Sequence, residues 1–173
     1  MISYYYYFYL SIYLSTHYII SKEIRKMAYS NTKELVTQFV QARGADAIPT
    51  MSRMLLDRTI TDIDVRDSTY NDCTALLYQA YHGTTGSVAW ILIQDPPPDI
   101  EVRDRDQWTP LMYAVFADFD SEGKVRLLLD HGADRTKENT NGTALDWARQ
   151  DNNSAAVNLI IDMLENYRPD VSR

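Results

Sequence analysis

Apolar residues recur along this chain with the period of a helix. Leu111, Ala114 and Val115 stand at i, i+3 and i+4, and Val125, Leu128 and Leu129 repeat that spacing further on. The same two runs appear elsewhere. TALLYQA from Thr74, TPLMYAV from Thr109 and TALDWAR from Thr143 form one series, with threonines 35 and then 34 residues apart. VAWILI (88–93), VRLLLD (125–130) and VNLIID (157–162) form the second, with a fainter copy, MSRMLLD, at 51–57. A third element, DIDVRD at 62–67, returns as DIEVRD at 99–104. Three kinds of element keeping step define a repeat.

Each unit reads as two helices. Thr109 is a good N-cap because its hydroxyl satisfies an orphan amide of the first turn. Pro110 at the first helical position gives up a hydrogen bond that the helix never had. HGAD (131–134) closes the second helix, where Gly132 is free to take a left-handed turn. An extended stretch then leads through NTNG (139–142) to the next threonine. A lone helix pair cannot hide its apolar face, so copies must stack.

This pattern resembles the ankyrin repeat, most closely over 99–165, well from 62, and weakly over 30–60. The T-P-L signature stands at Thr109, Pro110 and Leu111, and LLL-x-x-G-A-D at 127–134. The resemblance implies an all-α solenoid of stacked helix-turn-helix units with β-hairpin or loop tips. Residues 27–168 would form the repeat domain, with units near 30–61, 62–100, 101–134 and 135–166 and a tail at 169–173. The first and last units would be caps. Three departures stand out. The histidine usual after the T-P-L leucine is replaced by Leu77, Met112 and Asp146, which removes its hydrogen bonds between units. PPPD (96–99) replaces the G-A-D turn, so the second unit should end rigidly and differently. The hairpin VRDSTYNDC (65–73) and the loop ADFDSEG (117–123) are both long for the family.

The resemblance further implies non-catalytic protein–protein recognition, as adaptor, scaffold or inhibitor, on the concave face built by hairpin tips and first helices. Carried over by register, that face takes Tyr70, Asn71, Cys73, Tyr81 and His82 from the second unit. Arg103, Arg105, Asp106, Trp108, Phe116 and Ala117 come from the third, and Asn139, Thr140, Gln150 and Asp151 from the fourth. Tyr70, Tyr81, Trp108 and Phe116 would be anchors, and Arg103, Arg105 and Asp106 would steer charge pairing at the rim. The alternative for Trp108 and Phe116 is packing between units.

Composition narrows the classes. Of the 173 residues, 45% are hydrophobic and 24% charged, which suits a globular domain rather than a disordered chain. The net charge of −7, with KEIRK (22–26) as the sole basic block, argues against a nucleic-acid partner. One cysteine, Cys73, excludes an internal disulfide and suggests a reducing compartment, cytoplasm or nucleus. A thiol-dependent enzyme using Cys73 and His82 is a distant alternative. No cofactor or metal is expected, and a monomer is. DFDSEG (118–123) opens like a calcium loop, but Leu129 occupies the position that needs a bidentate glutamate. HGTTGS (82–87) has phosphate-cradle glycines without the lysine, and in register Gly83 is the turn after a first helix, matched later by Asn152, both suited to a left-handed conformation. NGT (141–143) and NNS (152–154) read as turns unless the protein is secreted.

The leader, residues 1–26, differs from the rest: MISYYYYFYLSIYLSTHYII (1–20) holds seven of the thirteen tyrosines. It lacks the basic start and cleavage site of a secretory signal. It stands open as a disordered or non-functional leader with a second start at MAYS (27–30), or as a membrane anchor that would make the protein a tethered adaptor. The chain could also be a fragment of a longer array, although WARQDNNS and RPDVSR have the polarity of a cap.

Overall fold

The computed structural model of the chain describes residues 31–117, 119–150 and 155–168, with the side chains of 155 and 156 outside the description. The leader reading, Asp151, Asn152 and the 169–173 tail lie outside these residues. The chain divides into two units, 1–35 and 36–173. In the first, the described residues 31–35 are helical and mostly exposed.

In the second unit the helices α1 (residues 36–40), α2 (Ala47–Leu56), α3 (Ala75–His82), α4 (Thr85–Leu92), α5 (Pro110–Val115), α6 (Ser121–Asp130), α7 (Ala144–Gln150) and α8 (Ala155–Asn166) follow in order. A 3-10 turn, Gly44–Asp46, precedes α2. The helices form two layers. First helices pack on first helices, α3 on α5 on α7, and second helices on second, α2 on α4 on α6 on α8; α3–α4, α5–α6 and α7–α8 are hairpins. Strand β1 (Glu138–Asn139) pairs antiparallel with β2 (Gly142–Thr143), and a single bridge, Asp67 to Cys73, marks the corresponding hairpin of the second repeat. The described fold is the expected all-α stack with minimal hairpin tips.

The three threonines cap as their position predicts. Thr74 Oγ1 accepts from Leu77 N, and Thr109 Oγ1 from Met112 N at 3.3 Å. Thr143 Oγ1 accepts from Asp146 N at 3.2 Å and donates to Asp146 Oδ2 at 2.7 Å. Leu77 and Met112, at the histidine positions, are fully buried. The core there is apolar: Leu76, Leu111, Val88, Ile91, Val125 and Leu128 join them from both layers. Each such side chain contributes roughly 1.5–3 kcal/mol by leaving water. Gly132 does adopt a left-handed turn, with φ at +91°. His131 Nδ1 donates to Leu127 O at 2.9 Å, closing α6.

Gly83 corrects the sequence-based expectation of a left-handed turn. Its φ is −85° and ψ −179°, extended backbone open to any residue. Closeness is what demands glycine: a Cβ would lie 2.2 Å from Gln79 Oε1 and 2.7 Å from the Gln79 carbonyl oxygen. The next helix then starts at once, with Thr84 and Ser87 in a reciprocal capping box. HGTTGS is therefore a helix junction. Gly83→Ala is expected to cost about 1–3 kcal/mol in urea unfolding because backbone must move. Gly86→Ala, three residues on, meets nothing closer than 3.6 Å and is expected to be neutral or to stabilise by up to about 1 kcal/mol. Equal effects at the two glycines would refute this reading.

The loop before α6 also has a structural task. Asp120 is left-handed, with φ at +52°, and its carboxylate accepts from the Thr85 hydroxyl at the start of α4. Leu129 is buried within α6. In the second repeat α4 ends at Leu92, and the peptide before Pro96 is cis.

Candidate recognition surface

The twice-repeated acidic-arginine segment builds a ladder between hairpins. Arg66 Nη1 donates to Asp72 O of its own hairpin at 3.2 Å and to Arg103 O of the next at 2.6 Å. Arg103 repeats this in register, donating to Gln107 O at 3.4 Å and Glu138 O at 2.8 Å. The acids run in parallel: Asp64 Oδ2 accepts from Asp99 N at 2.8 Å, and Glu101 Oε1 from Asp134 N at 2.7 Å. Burial raises the carboxyl pKa of both Asp64 and Glu101.

The last residue of the segment, Asp67 or Asp104, is buried. Asp104 Oδ1 accepts from Trp108 N at 2.7 Å; Oδ2 accepts from Tyr113 OH at 2.7 Å and Asn71 Nδ2 at 2.6 Å. Burial, then the bond to Asp104, pushes the Tyr113 hydroxyl well above the ordinary phenol range. Asp67 accepts from Thr69 N and Thr69 Oγ1 and from Gln41 Nε2 of α1's C-terminal flank. Burial pulls its pKa up, but those bonds outweigh it and hold it below the usual value. Asn139 takes the same slot in the fourth unit, accepting from Asn141 N at 2.9 Å and Trp147 Nε1 at 3.3 Å.

Below the hairpins the rings of three repeats form one continuous ribbon. In the second repeat Tyr70, Tyr78, Tyr81 and His82 meet at centroid distances of 4.5–6.3 Å. Tyr81 lies 6.0 Å from Tyr113, and Tyr113 lies 5.4 Å from Trp108. Trp108 then meets Trp147 at 4.8 Å and Phe116 at 5.7 Å, while Phe116 meets Trp147 at 5.6 Å. Tyr78 is buried; Tyr81, His82, Trp108, Tyr113, Phe116 and Trp147 are half-buried, and Tyr70 is exposed. Trp108 and Phe116 thus pack between units with part of each ring left to solvent.

Most of the ribbon's polar atoms are occupied internally. Tyr70 OH and His82 Nε2 are 3.0 Å apart, and Arg43 Nε donates to Tyr78 OH. Among the described residues, the Trp108 indole N–H and the Tyr81 hydroxyl have no intramolecular hydrogen-bond partner, and both reach solvent.

The structure gathers Tyr70, Tyr81, His82, Trp108 and Phe116 on this ribbon. It places Asn71, Arg103, Arg105 and Asp106 in bonds between hairpins instead. Arg105 forms an ion pair with Asp72 at 3.0 Å, and Asp106 Oδ2 accepts from Asn71 Nδ2 at 2.8 Å. Asn139 sits beside Trp147, Thr140 and Gln150 are exposed, and Ala117 is half-buried. Tyr78, Tyr113 and Trp147 are the ribbon members that the sequence reading passed over. Their signal is in the register: an aromatic stands four residues after each capping threonine. Asp104 was likewise passed over beside its charged neighbours.

Cys73 is 1% exposed, and its Sγ lies 3.9 Å from Tyr113 OH, while His82 engages Tyr70. Burial pushes the thiol up to about 12. A group with that pKa is a poor nucleophile near neutrality. Iodoacetamide at pH 8 should modify Cys73 at least about 100-fold more slowly in the folded protein than in urea, following the loss of thiolate. Equal rates would revive the thiol reading. Among the described residues no group of three His, Cys, Asp or Glu side chains could hold a metal ion, and no helix is long and apolar enough to cross a membrane.

A family model for ankyrin repeats, three copies in length, matches residues 25–136 and again 76–172. No curated protein matches the chain.

Proposed function

Since the chain belongs to the ankyrin-repeat family, a protein-interaction fold, we propose that it recognises a partner protein on the ribbon of rings and the hairpin edges above it, without catalysis. The observation that carries this reading is the ribbon itself. Half-exposed tyrosine and tryptophan rings run unbroken across three repeats, held by neighbours that lock their orientation. Aromatic side chains offer large contact area for little lost conformational freedom, which makes them binding hot spots. Tyr70, Tyr81, Trp108 and Phe116 serve as anchors. The hairpin residues Asn71, Arg103, Arg105, Asp106, Asn139 and Thr140 keep the anchors at fixed spacing and meet the partner at their edges. Gln150 extends the surface onto the end of α7.

Site-specific photo-crosslinking tests it. With benzoylphenylalanine in place of Tyr81 or Gln150 in the full chain, ultraviolet light in the native cell should attach a partner. The same probe at Arg58, on the turn after α2, should attach none. Crosslinks from position 58 alone would move the recognition surface to the second helices.

A further inference from the structure

The layer of second helices holds a separate feature. A cavity of about 490 Å³ opens between the C-terminal ends of α2 and α4, within the size range of small-molecule sites. Leu55, Leu56, Ile60, Ile63 and Trp90 supply its apolar wall.

The repeat register shows what sets its rim apart. The last residue of the aliphatic run is Asp130 in the third repeat and Asp162 in the fourth, both exposed. In the first and second repeats the same place is held by Leu56 and Ile93, which are 82% and 72% exposed. Leu56 lines the cavity, and Ile93 directly precedes Gln94, which also lines it. Two adjacent repeats thus leave aliphatic side chains in water where the next two carry a carboxylate. Apolar surface gathered in this way around a cavity is the mark of a binding site.

Arg58 is a second departure. It ends α2 as Gly132 ends α6. Arg58 N donates to Leu55 O and Gly132 N to Leu129 O, and both residues are left-handed, with φ at +59° and +91°. That conformation suits glycine and costs a residue that has a Cβ. The arginine lines the cavity. Among the described residues its guanidinium has no partner, unlike those of Arg66 and Arg103, which hold carbonyls of the next hairpin. An unpaired guanidinium beside an apolar wall is complementary to an anion with an apolar body, and its fork of donors matches a carboxylate. Asp95 lines the opposite side, after α4, and repels negative charge. The ligand therefore carries one negative charge and turns it toward α2.

We propose that this cavity binds a small amphipathic monocarboxylate, its apolar body on Leu55, Ile60, Ile63 and Trp90 and its carboxylate on Arg58. Leu56 and Ile93 lose their exposure as the ligand enters. The site is independent of the aromatic ribbon and of any partner held there.

Sodium decanoate, kept below its micellar concentration, is titrated into the isotope-labelled full chain and followed by NMR; decyltrimethylammonium presents the same tail with the opposite charge. Decanoate is expected to give saturable shifts at Leu56, Arg58, Ile93 and the Trp90 indole. Arg58→Gly is expected to weaken its binding at least about tenfold, as loss of a charge-assisted pair implies. The same variant should unfold in urea at a midpoint equal to or above the parent's, since glycine accepts the left-handed turn. Leu56→Asp copies the third and fourth repeats at an exposed position and should weaken binding by about tenfold. Decyltrimethylammonium binding as tightly as decanoate overturns the pairing with Arg58. Unchanged decanoate binding by Arg58→Gly overturns it too, and a loss of stability in that variant would then give the arginine a structural task instead. Shifts confined to the aromatic ribbon, or none that saturate, remove the site. Shifts at Leu56 and Ile93 that grow with protein concentration alone make the face a contact between two copies and overturn the ligand.

Discussion

Asp104→Ala is expected to destabilise the protein by about 3–5 kcal/mol in urea unfolding followed by circular dichroism. The carboxylate is buried and accepts from a backbone amide, a phenol and a side-chain amide supplied by two adjacent repeats. Alanine leaves the Trp108 amide and the Tyr113 hydroxyl without this acceptor, while Asn71 keeps Asp106. Each orphaned buried donor costs roughly 1–3 kcal/mol, and local opening to water recovers part of the total. The control lies two residues away. Asp106 is exposed and accepts from Asn71 alone among the described residues, so Asp106→Ala should cost less than about 1 kcal/mol. If the two variants lose the same stability, Asp104 is not the junction between the second and third repeats.

Lys124→Ala should cost about 2–4 kcal/mol by the same measurement. Lys124 is fully buried in α6, yet its ammonium reaches across to the preceding repeat. It donates to Gly83 O at 2.8 Å and Tyr81 O at 3.3 Å, and lies 4.9 Å from the centroid of the Phe119 ring. Those carbonyls belong to the C-terminal end of α3, where backbone acceptors lack helical partners and a positive charge is favoured. Lys124→Met keeps the packed stem and removes only the ammonium. It should therefore retain part of the loss, near 1–3 kcal/mol. A methionine variant as stable as the parent would show that the stem alone matters.

The architecture was legible because it is written in repetition. Helix-period runs, capping threonines and Gly132 each dictate one local conformation, and all agree. The ribbon rings Tyr70, Tyr81, Trp108 and Phe116 could also be placed by register. What escaped was the destination of charged side chains. Arg103 and Asp104 look alike in a sequence, as surface charges, yet one spans two hairpins and the other is buried in a three-donor site. The recurrence of the pair at Arg66 and Asp67 was the available signal, since a residue kept in step with the repeat is readily explained by contacts between repeats. Lys124 gave no such signal. Nothing in SEGKVRLLLD distinguishes a lysine that turns inward from one that faces water. Gly83 was misjudged for a related reason: its closeness to Gln79, four residues back, depends on the bond from Gly83 N to Gln79 O that ends α3 and on where the Gln79 side chain folds.

The hairpin ladder also gives the stack a direction under load. Arg66 and Asp64 bind forward to the third repeat, Arg103 and Glu101 bind forward to the fourth, and Thr136 and Glu138 hold the corresponding places there. The junction of the second and third repeats has further ties in the Asp72–Arg105 pair, the Asn71 bonds and Lys124. Stretched from its two ends, such a chain of linked segments yields first where the links are fewest. The fourth repeat is tied to the third also by Tyr167 OH to Asp130 and by Trp147 against Trp108 and Phe116. Counting only bonds among the described residues, it still has fewer links to the third than the third has to the second, and it should peel away first of the two.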